Sequence, residues 1–242
     1  MLSADPLKVV ILDYGLGNLF SVKHACEHAG MHATITCSHE EILKADAVIL
    51  PGMGAFGDAM AALRRLDLIG PLRDVVASGK SLIGVCLGMQ LLMSESYEFG
   101  RHQGLGFIEG SVVKFDNPVE GSTKLKVPQI EWNNIYRHTG QAPAGATANG
   151  DPWKNSPLEG LADGEFMYFV HSYHAKPEAP GVVLSVSQYG HIEFCSSFKY
   201  ENIFAFQFHP ERSGSQGLRI YRNLTSLIGK SGHAISPGRE ES

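Results

Sequence analysis

Residues 81–92 read SLIGVCLGMQLL and contain a single cysteine. An apolar run ends at Cys86, which has a glycine two places to either side, and a run with helical spacing follows. A strand, a sharp turn and a helix in this order match the nucleophile elbow, here with cysteine in place of serine. The turn lifts the side chain out of the sheet edge, and the helix points N–H groups at the sulfur, which favours a thiolate. A lone cysteine in apolar sequence is more often an inert core residue, and the paired glycines count against that alternative here.

Strand and helix patterns alternate on both sides of this stretch. Two further apolar runs, at residues 7–15 and 45–54, end in glycine-containing turns and predict strands buried on both faces. Helical spacing predicts helices over residues 18–30, 55–79 and 87–96. This alternation predicts an α/β fold with a mainly parallel central sheet flanked by helices.

The second half of the chain, from about Gly106, has shorter strand-like pieces rich in Val, Phe and Tyr. They predict an antiparallel or mixed region that continues the same core. The pieces lie at residues 107–115, 166–175, 182–190 and 203–211. Residues 138–157 are rich in Gly, Ala and Pro and predict a long surface loop. We predict a single domain over residues 1–229 and a disordered tail over 230–242, which has almost no apolar content.

Composition excludes several classes of protein. The 242 residues can bury a substantial core, and 20 basic against 25 acidic side chains give a formal charge of −5, so neither nucleic acid nor an anionic membrane is expected as a partner. The cysteines show no C-x-x-C spacing, which argues against a disulfide framework or a zinc ribbon, and we expect Cys26, Cys37 and Cys195 to be inert core residues. No apolar stretch approaches the roughly 18 residues of a membrane span and no secretory signal is recognisable, so a cytoplasmic protein is expected.

A partner for the thiol is present in FAFQFHPERS, residues 204–213. A strand pattern ends at Phe208, so His209 and Glu211 should lie at a sheet edge. A thiolate nucleophile needs an imidazole to hold its proton, and the imidazole needs a carboxylate to fix its tautomer. Taken alone, His209 is equally well explained as a structural residue or as a catalytic one. Its combination with a cysteine in a nucleophile elbow favours the catalytic interpretation. An H-x-E pair also occurs in zinc deaminases, but a zinc site of that kind is excluded here because no P-C-x-x-C follows.

The stretch LPGMGAFGDAM, residues 50–60, opens from a strand end into a glycine-rich turn before a helix. Its backbone N–H groups suit a phosphate or the oxyanion of an acyl-transfer intermediate, and an ordinary turn is a third alternative. The absence of a Walker motif counts against phosphate. GLGNLF fails as a dinucleotide fingerprint because Phe20 occupies the third glycine position.

Four motifs, PGMGAF, GVCLGMQLL, YFVHSYH and QFHPERS, occur in this order along nearly the whole chain. Together they resemble class I, triad-type glutamine amidotransferase domains. The blocks DYGLGN, KVPQIEWNNI and YFVHSY make the chain look most like the glutaminase subunits of imidazole glycerol phosphate synthase. The resemblance implies that Cys86, His209 and Glu211 release ammonia from L-glutamine, and it implies no cofactor and no metal.

The resemblance also implies roles for further residues. The backbone N–H groups of Gly54 and Leu87 would form the oxyanion hole. The acidic position that holds the amino-acid end of the substrate matches Glu98, although Glu95 is a rival. The residues implied to bind substrate are Gln90, Glu98 and the backbone of Ser172 and Tyr173.

The implied partner is a (β/α)₈-barrel synthase subunit that forms a heterodimer with this chain and receives the ammonia. Asn18, Trp132 and Arg212 match positions that face the barrel, although Trp132 is also explained as a core residue. A metal pair of His171 and His174 is disfavoured because no third ligand has suitable spacing.

One block departs from the family pattern. Gln129, Ile130 and Glu131 stand where a histidine, a methionine and a glycine are usual, and the loop at 138–157 is larger than expected. A buried, unpaired Glu131 would be costly, so either the partner surface differs or the loop lies open. Three alternatives therefore stay open: an amidotransferase subunit that supplies ammonia for surface-polysaccharide sugars, a thiol hydrolase of another class, and a regulatory subunit with a dead site.

Overall fold

The computed structural model describes residues 6–138 and 151–232, which form three sheets and six α-helices. The strands are β1 (Lys8–Leu12), β2 (His32–Thr36), β3 (Ala47–Leu50), β4 (Ser81–Val85), β5 (Met93–Ser96), β6 (His102–Gln103), β7 (Ile108–Lys114), β8 (Val119–Glu120), β9 (Thr123–Lys124), β10 (Gln129–Arg137), β11 (Glu165–His171), β12 (Tyr173–Pro177), β13 (Val183–Tyr189), β14 (Ile192–Tyr200) and β15 (Ile203–Phe206). The helices are α1 (Leu19–His28), α2 (His39–Lys44), α3 (Phe56–Arg65), α4 (Ile69–Ala77), α5 (Leu87–Leu91) and α6 (Gly214–Gly232), and 3₁₀ turns span Pro180–Val182 and Pro210–Arg212.

Among the described residues, nine strands form a large sheet in the order β11, β10, β13, β14, β15, β4, β3, β1, β2. The strands from β15 to β2 are parallel, and those from β14 to β11 are antiparallel. The inner parallel strands are largely apolar because both of their faces are covered: in β1, Val9 and Ile11 pack in one core cluster, and Val10 and Leu12 in the other. The predicted α/β fold class is confirmed.

A smaller sheet has the order β12, β7, β5, β6. Its buried residues Ile108, Val112 and Ala175 belong to the same core cluster as Val10 and Leu12 of the large sheet. The second half of the chain therefore continues a core of the first half, as predicted. The predicted strand over 166–175 divides at Ser172, so that β11 lies in the large sheet and β12 in the small one.

Two predicted helices have other bounds in the structure. The helix predicted over 87–96 is wrong beyond Leu91, because Met93–Ser96 pairs with β7 and β6 and this pairing overrides the helical spacing. The helix predicted over 55–79 divides into α3 and α4, since Asp67 takes a φ of 53° and ends the first helix.

The predicted loop at 138–157 is described only at its ends, because residues 139–150 lie outside the described residues. Its last part lies only partly on the surface: Lys154 and Asn155 are exposed, but Trp153 is fully buried, and its Nε1 donates to the carbonyl of Leu184 over 2.7 Å. Helix α6 continues past the predicted boundary at 229 to Gly232, and 233–242 are not described. No helix within 6–138 and 151–232 is long and apolar enough to cross a membrane.

Candidate active site

Cys86 occupies the sharp turn between β4 and α5. Its backbone has φ 55° and ψ −111°, a conformation that residues with a side chain rarely adopt. Its N–H donates to the carbonyl of Phe206 over 2.7 Å, which ties the turn to β15. The flanking glycines permit close packing, since a Cβ on Gly84 would lie 2.9 Å from the carbonyl oxygen of Gly88. The thiol therefore lies, mostly buried, at the carboxyl edge of the large sheet.

His209 and Glu211 follow β15, the strand beside β4, and so reach the same edge. His209 Nδ1 donates to Glu211 Oε1 over 2.8 Å, and the two side chains are only 8% and 1% exposed. Burial by itself lowers the pKa of His209, but the negative charge of Cys86 and the contact with Glu211 outweigh it and raise this pKa to about 10. The ring is thus held protonated and oriented, and because Nδ1 is bonded to Glu211, Nε2 is the nitrogen left to interact with the sulfur of Cys86. This arrangement suits proton exchange with a nucleophile.

We expect Glu211→Gln to lower the pKa of His209. The amide oxygen still accepts from Nδ1, but the carboxylate charge that raises the pKa is lost, whereas the burial that lowers it stays. An NMR titration of the imidazole measures the shift directly. Glu193→Gln, on the exposed Glu193 of β14, is the matched control and should leave the titration unchanged. An unchanged or higher pKa in Glu211→Gln would contradict the role of the carboxylate.

A cavity of about 590 Å³ lies in front of Cys86. Ten of the residues that the sequence singled out line it: Asn18, Gly54, Cys86, Leu87, Gln90, Glu98, Ser172, Tyr173, His209 and Arg212. Glu211 is not part of the lining and reaches the cavity through His209. Trp132 is also outside the lining. The folded chain therefore gathers residues from both halves of the sequence around one thiol.

Gln90 is buried on α5 and has a fixed amide. Its Nε2 donates to the carbonyl of Tyr173 over 2.7 Å and to Gln207 Oε1 over 3.0 Å. Both N–H groups are thereby used, and the amide oxygen is left as the acceptor that can face a ligand in the cavity. Gln207 was not singled out from the sequence, although it stands two places before His209 in the motif.

The acidic residue in the cavity is Glu98. Its carboxylate accepts from the N–H of Phe56 at the start of α3 over 2.5 Å. The rival, Glu95, lies outside the cavity lining and is paired with Arg101 over 2.7 Å and with the hydroxyl of Tyr97 over 2.6 Å. The structure therefore favours Glu98 as the carboxylate available to a bound molecule.

The glycine-rich turn after β3 lies opposite the elbow. Gly54 has a φ of 105°, in the region that favours glycine, and it lines the cavity together with Leu87. The turn is anchored by Tyr14, whose hydroxyl donates to the carbonyl of Pro51 over 2.6 Å. Burial and the charge of Cys86 raise the pKa of Tyr14 above its ordinary value, so the hydroxyl stays protonated as a donor. Tyr14 lies in DYGLGN, but the sequence alone gave it no role.

The residues predicted to face a partner lie at the mouth of the site. Trp132 is 51% exposed, so the core alternative for this residue is wrong. Its ring meets that of Tyr168 edge-on with centroids 6.0 Å apart, and the guanidinium of Arg212 lies 4.5 Å from the Tyr168 ring centroid. Arg212 and Asn18 also line the cavity. Arg212, the half-buried ring of Tyr168 and the exposed ring of Trp132 thus form a row that leads from the cavity to the surface.

His171 is a further cavity residue, and the sequence alone suggested for it no role besides the disfavoured one of metal ligand. Its Nδ1 donates to the carbonyl of Tyr173 over 2.8 Å, and burial lowers its pKa to about 3, so the ring is neutral. Burial also lowers the pKa of His174, to about 4, and both rings pack against Phe115. Within the described residues, no group of three or more His, Cys, Asp or Glu side chains is arranged to hold a metal ion.

The departures from the family pattern have local explanations. Glu131 is exposed and accepts from the amide of the buried Gln129 over 3.1 Å, so no unpaired carboxylate is buried there.

Of the other cysteines, Cys26 and Cys195 are buried, and burial raises the pKa of the Cys26 thiol to about 12. Cys37 is exposed, so its prediction as a core residue is wrong: it follows the end of β2.

Comparison with known proteins places this geometry in a family. The model for glutamine amidotransferase class-I matches residues 10–225. The imidazole glycerol phosphate synthase subunit HisH of Rhodopirellula baltica is 41% identical over 90% of this chain and 97% of its own length, and that of Syntrophotalea carbinolica is 42% identical over 90% and 100%.

Among solved structures, PurLQS from Thermotoga maritima superimposes with a TM-score of 0.66 at 17% identity over 92% of this chain and 99% of its own, which supports the fold alone. The match to the family model and the identity to the HisH subunits together confirm the resemblance seen in the motifs. The chain therefore belongs to the class I glutamine amidotransferases.

Proposed function

We propose that this chain is the glutaminase subunit of an imidazole glycerol phosphate synthase, acting in histidine biosynthesis in the cytoplasm. It hydrolyses L-glutamine to glutamate and ammonia, which a synthase subunit consumes. Relatives with this subunit name at 41% and 42% identity support the pathway. The observation that carries the chemistry is that Cys86 and His209 line one cavity, with Glu211 bonded to the imidazole.

The first half of the reaction follows from these contacts. The sulfur of Cys86 attacks the side-chain carboxamide carbon of glutamine, and the C–N bond breaks as protonated His209 gives its proton to the departing ammonia. Glu211 keeps the imidazole in the orientation needed, through the 2.8 Å bond to Nδ1. Gly54 and Leu87, which line the same cavity as Cys86, would supply the backbone N–H groups that stabilise the oxyanion.

The second half of the reaction hydrolyses the glutamyl thioester and regenerates the enzyme. His209, now neutral, takes a proton from water, the hydroxide attacks the glutamyl thioester, and the C–S bond breaks to release glutamate and regenerate the thiolate. Atoms and protons balance without any cofactor. The only groups required are those already at the cavity.

The cavity also suits the amino-acid end of glutamine. The free amide oxygen of Gln90 and the carboxylate of Glu98 are acceptors for the α-ammonium group, and the backbone of Ser172 and Tyr173 lies alongside. A peptidase that cleaves within a chain would need an open cleft and has no use for acceptors placed to bind a free amino group. The site therefore favours a free amino acid over a peptide.

For the partner we propose a (β/α)₈-barrel subunit that receives ammonia at the mouth of the cavity. Asn18 and Arg212 line the cavity, and Trp132 extends the surface outward with Ile130 and Phe166, which are 59% and 53% exposed. Such clustered apolar side chains suit burial by another subunit.

We expect Trp132→Ala to weaken the complex with the synthase subunit by about 2 kcal/mol, roughly thirty-fold in Kd, because a large aromatic side chain loses its contact area. Titration calorimetry of the two subunits measures the loss. Tyr200→Ala, which removes another half-exposed aromatic residue far along β14, is the matched control and should bind as the wild type does. Equal affinities of the Trp132 variant and the wild type would place the interface elsewhere.

The function is tested by combining the purified chain with the barrel synthase encoded in the same genome and following glutamate and imidazole glycerol phosphate together. The proposal predicts that glutamine hydrolysis rises in the complex and matches product formation. A stable chain that makes ammonia only with a sugar-modifying partner would favour the polysaccharide alternative. Failure of Cys86 to react with the glutamine analogue 6-diazo-5-oxonorleucine in the complex would favour a thiol hydrolase, and an inert site with every partner would indicate a regulatory subunit.

A further inference from the structure

Gln207 is a fully buried side chain directly after β15. Its backbone N–H donates to the carbonyl of Ser196 over 2.9 Å, which anchors it beside β14. Its amide touches two parts of the active site: Oε1 accepts from Gln90 Nε2 over 3.0 Å, and Nε2 lies 3.8 Å from the sulfur of Cys86, to which it donates. We propose that Gln207 is a positioning residue that links the substrate-binding amide of Gln90 to the nucleophile.

The direction of these hydrogen bonds is fixed by one backbone group. The carbonyl of Tyr173 can only accept, so the amide nitrogen of Gln90 must face it, at 2.7 Å. The second N–H of that nitrogen points at Gln207, which therefore presents its oxygen there. The nitrogen of Gln207 is left to face Cys86. The chain of polar groups has a single order, and it ends with a donor at the sulfur.

Two consequences follow from this order. A donor beside the sulfur stabilises the thiolate, and it opposes the carbonyl of Val170, an acceptor 3.8 Å from the same sulfur that favours the thiol. At the other end, an acceptor beside Gln90 holds both of its N–H groups away from the cavity, so that its oxygen is presented to the α-ammonium group of glutamine. This inference rests on the proposed glutaminase function, because Gln90 is assigned there to the amino-acid end of the substrate.

The test compares Gln207→Met with Gln207→Glu. Methionine keeps the length and fills the buried space but removes both hydrogen bonds. We expect KM for glutamine to rise roughly fivefold and the rate of alkylation of Cys86 by iodoacetamide at neutral pH to fall roughly threefold or more. In Gln207→Glu a carboxyl oxygen still accepts from Gln90, so KM should return close to the wild-type value. A merely structural role would not produce this split.

Gln188→Met is the matched control, since Gln188 is exposed on β13 and its side-chain amide donates to the nearby carbonyl of Gly190. It should leave KM and alkylation unchanged. The proposal is overturned if Gln207→Met keeps the wild-type KM and alkylation rate, or if Gln207→Glu raises KM as much as methionine does. If the methionine variant fails to fold, the alkylation rate of Gln207→Glu decides: an oxygen in place of the donor Nε2 beside the sulfur should lower this rate roughly threefold or more, and an unchanged rate overturns the proposal. A wild-type complex inactive on glutamine would instead count against the proposed function, and the alkylation measurement, which needs no substrate, separates the two failures.

Discussion

Replacement of Cys86 by alanine is expected to abolish glutamine-dependent synthesis by the assembled complex while leaving ammonia-dependent synthesis intact. The sulfur is the only side-chain atom in the proposed mechanism that forms a bond to the substrate carbon, so its loss should lower glutamine hydrolysis at least about 10³-fold. Alanine has a smaller side chain than cysteine and can take the same backbone conformation at similar strain. The synthase reaction with added ammonium salt needs none of the residues of this cavity.

The measurement is the rate of imidazole glycerol phosphate formation with glutamine and, separately, with ammonium chloride. Cys37→Ala removes an exposed thiol outside the cavity lining and serves as the control for a change in cysteine content. Retention of glutamine-dependent turnover by the Cys86 variant would remove the nucleophile from the mechanism. Loss of both activities in a complex that still assembles would show that Cys86 has a different task.

Gly88→Ala is expected to have the largest effect on stability. A Cβ at this position would lie 1.7 Å from the carbonyl oxygen of Leu50 and 2.8 Å from its carbon, and both are backbone atoms of β3 that cannot rotate away. Helix α5 must then move off the sheet, which we expect to cost about 3 kcal/mol or more and to lower Tm by roughly 6–12 °C. Because Cys86 immediately precedes this helix, its sulfur is displaced as well, and activity should fall about a hundredfold.

Gly70→Ala provides a close control. Gly70 is the second residue of α4, as Gly88 is the second residue of α5, but a Cβ there meets nothing within 4 Å. Alanine should therefore stabilise α4 by about 0.5–1 kcal/mol. Thermal unfolding followed by circular dichroism, with a glutaminase assay of the same samples, compares the two variants. Similar melting temperatures for both would contradict the close contact between α5 and β3.

The sequence was sufficient for those parts of the site that local pattern determines. Strand, turn and helix at residues 81–92 predicted the position of Cys86, and the end of the strand before His209 predicted the same sheet edge for the imidazole. Neighbouring parallel strands place their carboxyl ends together, so two motifs far apart in the chain converge. The choice between Glu98 and Glu95 was not available from spacing, since it depends on which carboxylate reaches the N–H of Phe56.

Other features depend on contacts that no local pattern carries. The pairing of Met93–Ser96 with β7 turned a predicted helix into a strand, because backbone hydrogen bonds with a distant partner outweighed the helical spacing. Tyr14 and Gln207 gained their importance only from neighbours 37 and 117 positions away, the carbonyl of Pro51 and the amide of Gln90. Trp153, in a stretch rich in glycine and proline, proved to be a core residue for the same reason.

The division at Ser172 has a consequence for how this site can change. The residues proposed to break the bond follow strands of the large sheet, whereas Tyr173, whose carbonyl holds the amide of Gln90, begins β12 of the small one. The proposed substrate-binding amide on α5 is therefore held in part by a sheet that is hydrogen-bonded separately from the strands that carry the thiol and the imidazole, although the two sheets share a core cluster. Natural variation in the small sheet can change how the amide of Gln90 is held, and with it the affinity for the amino acid, while the thiol and its imidazole stay in position.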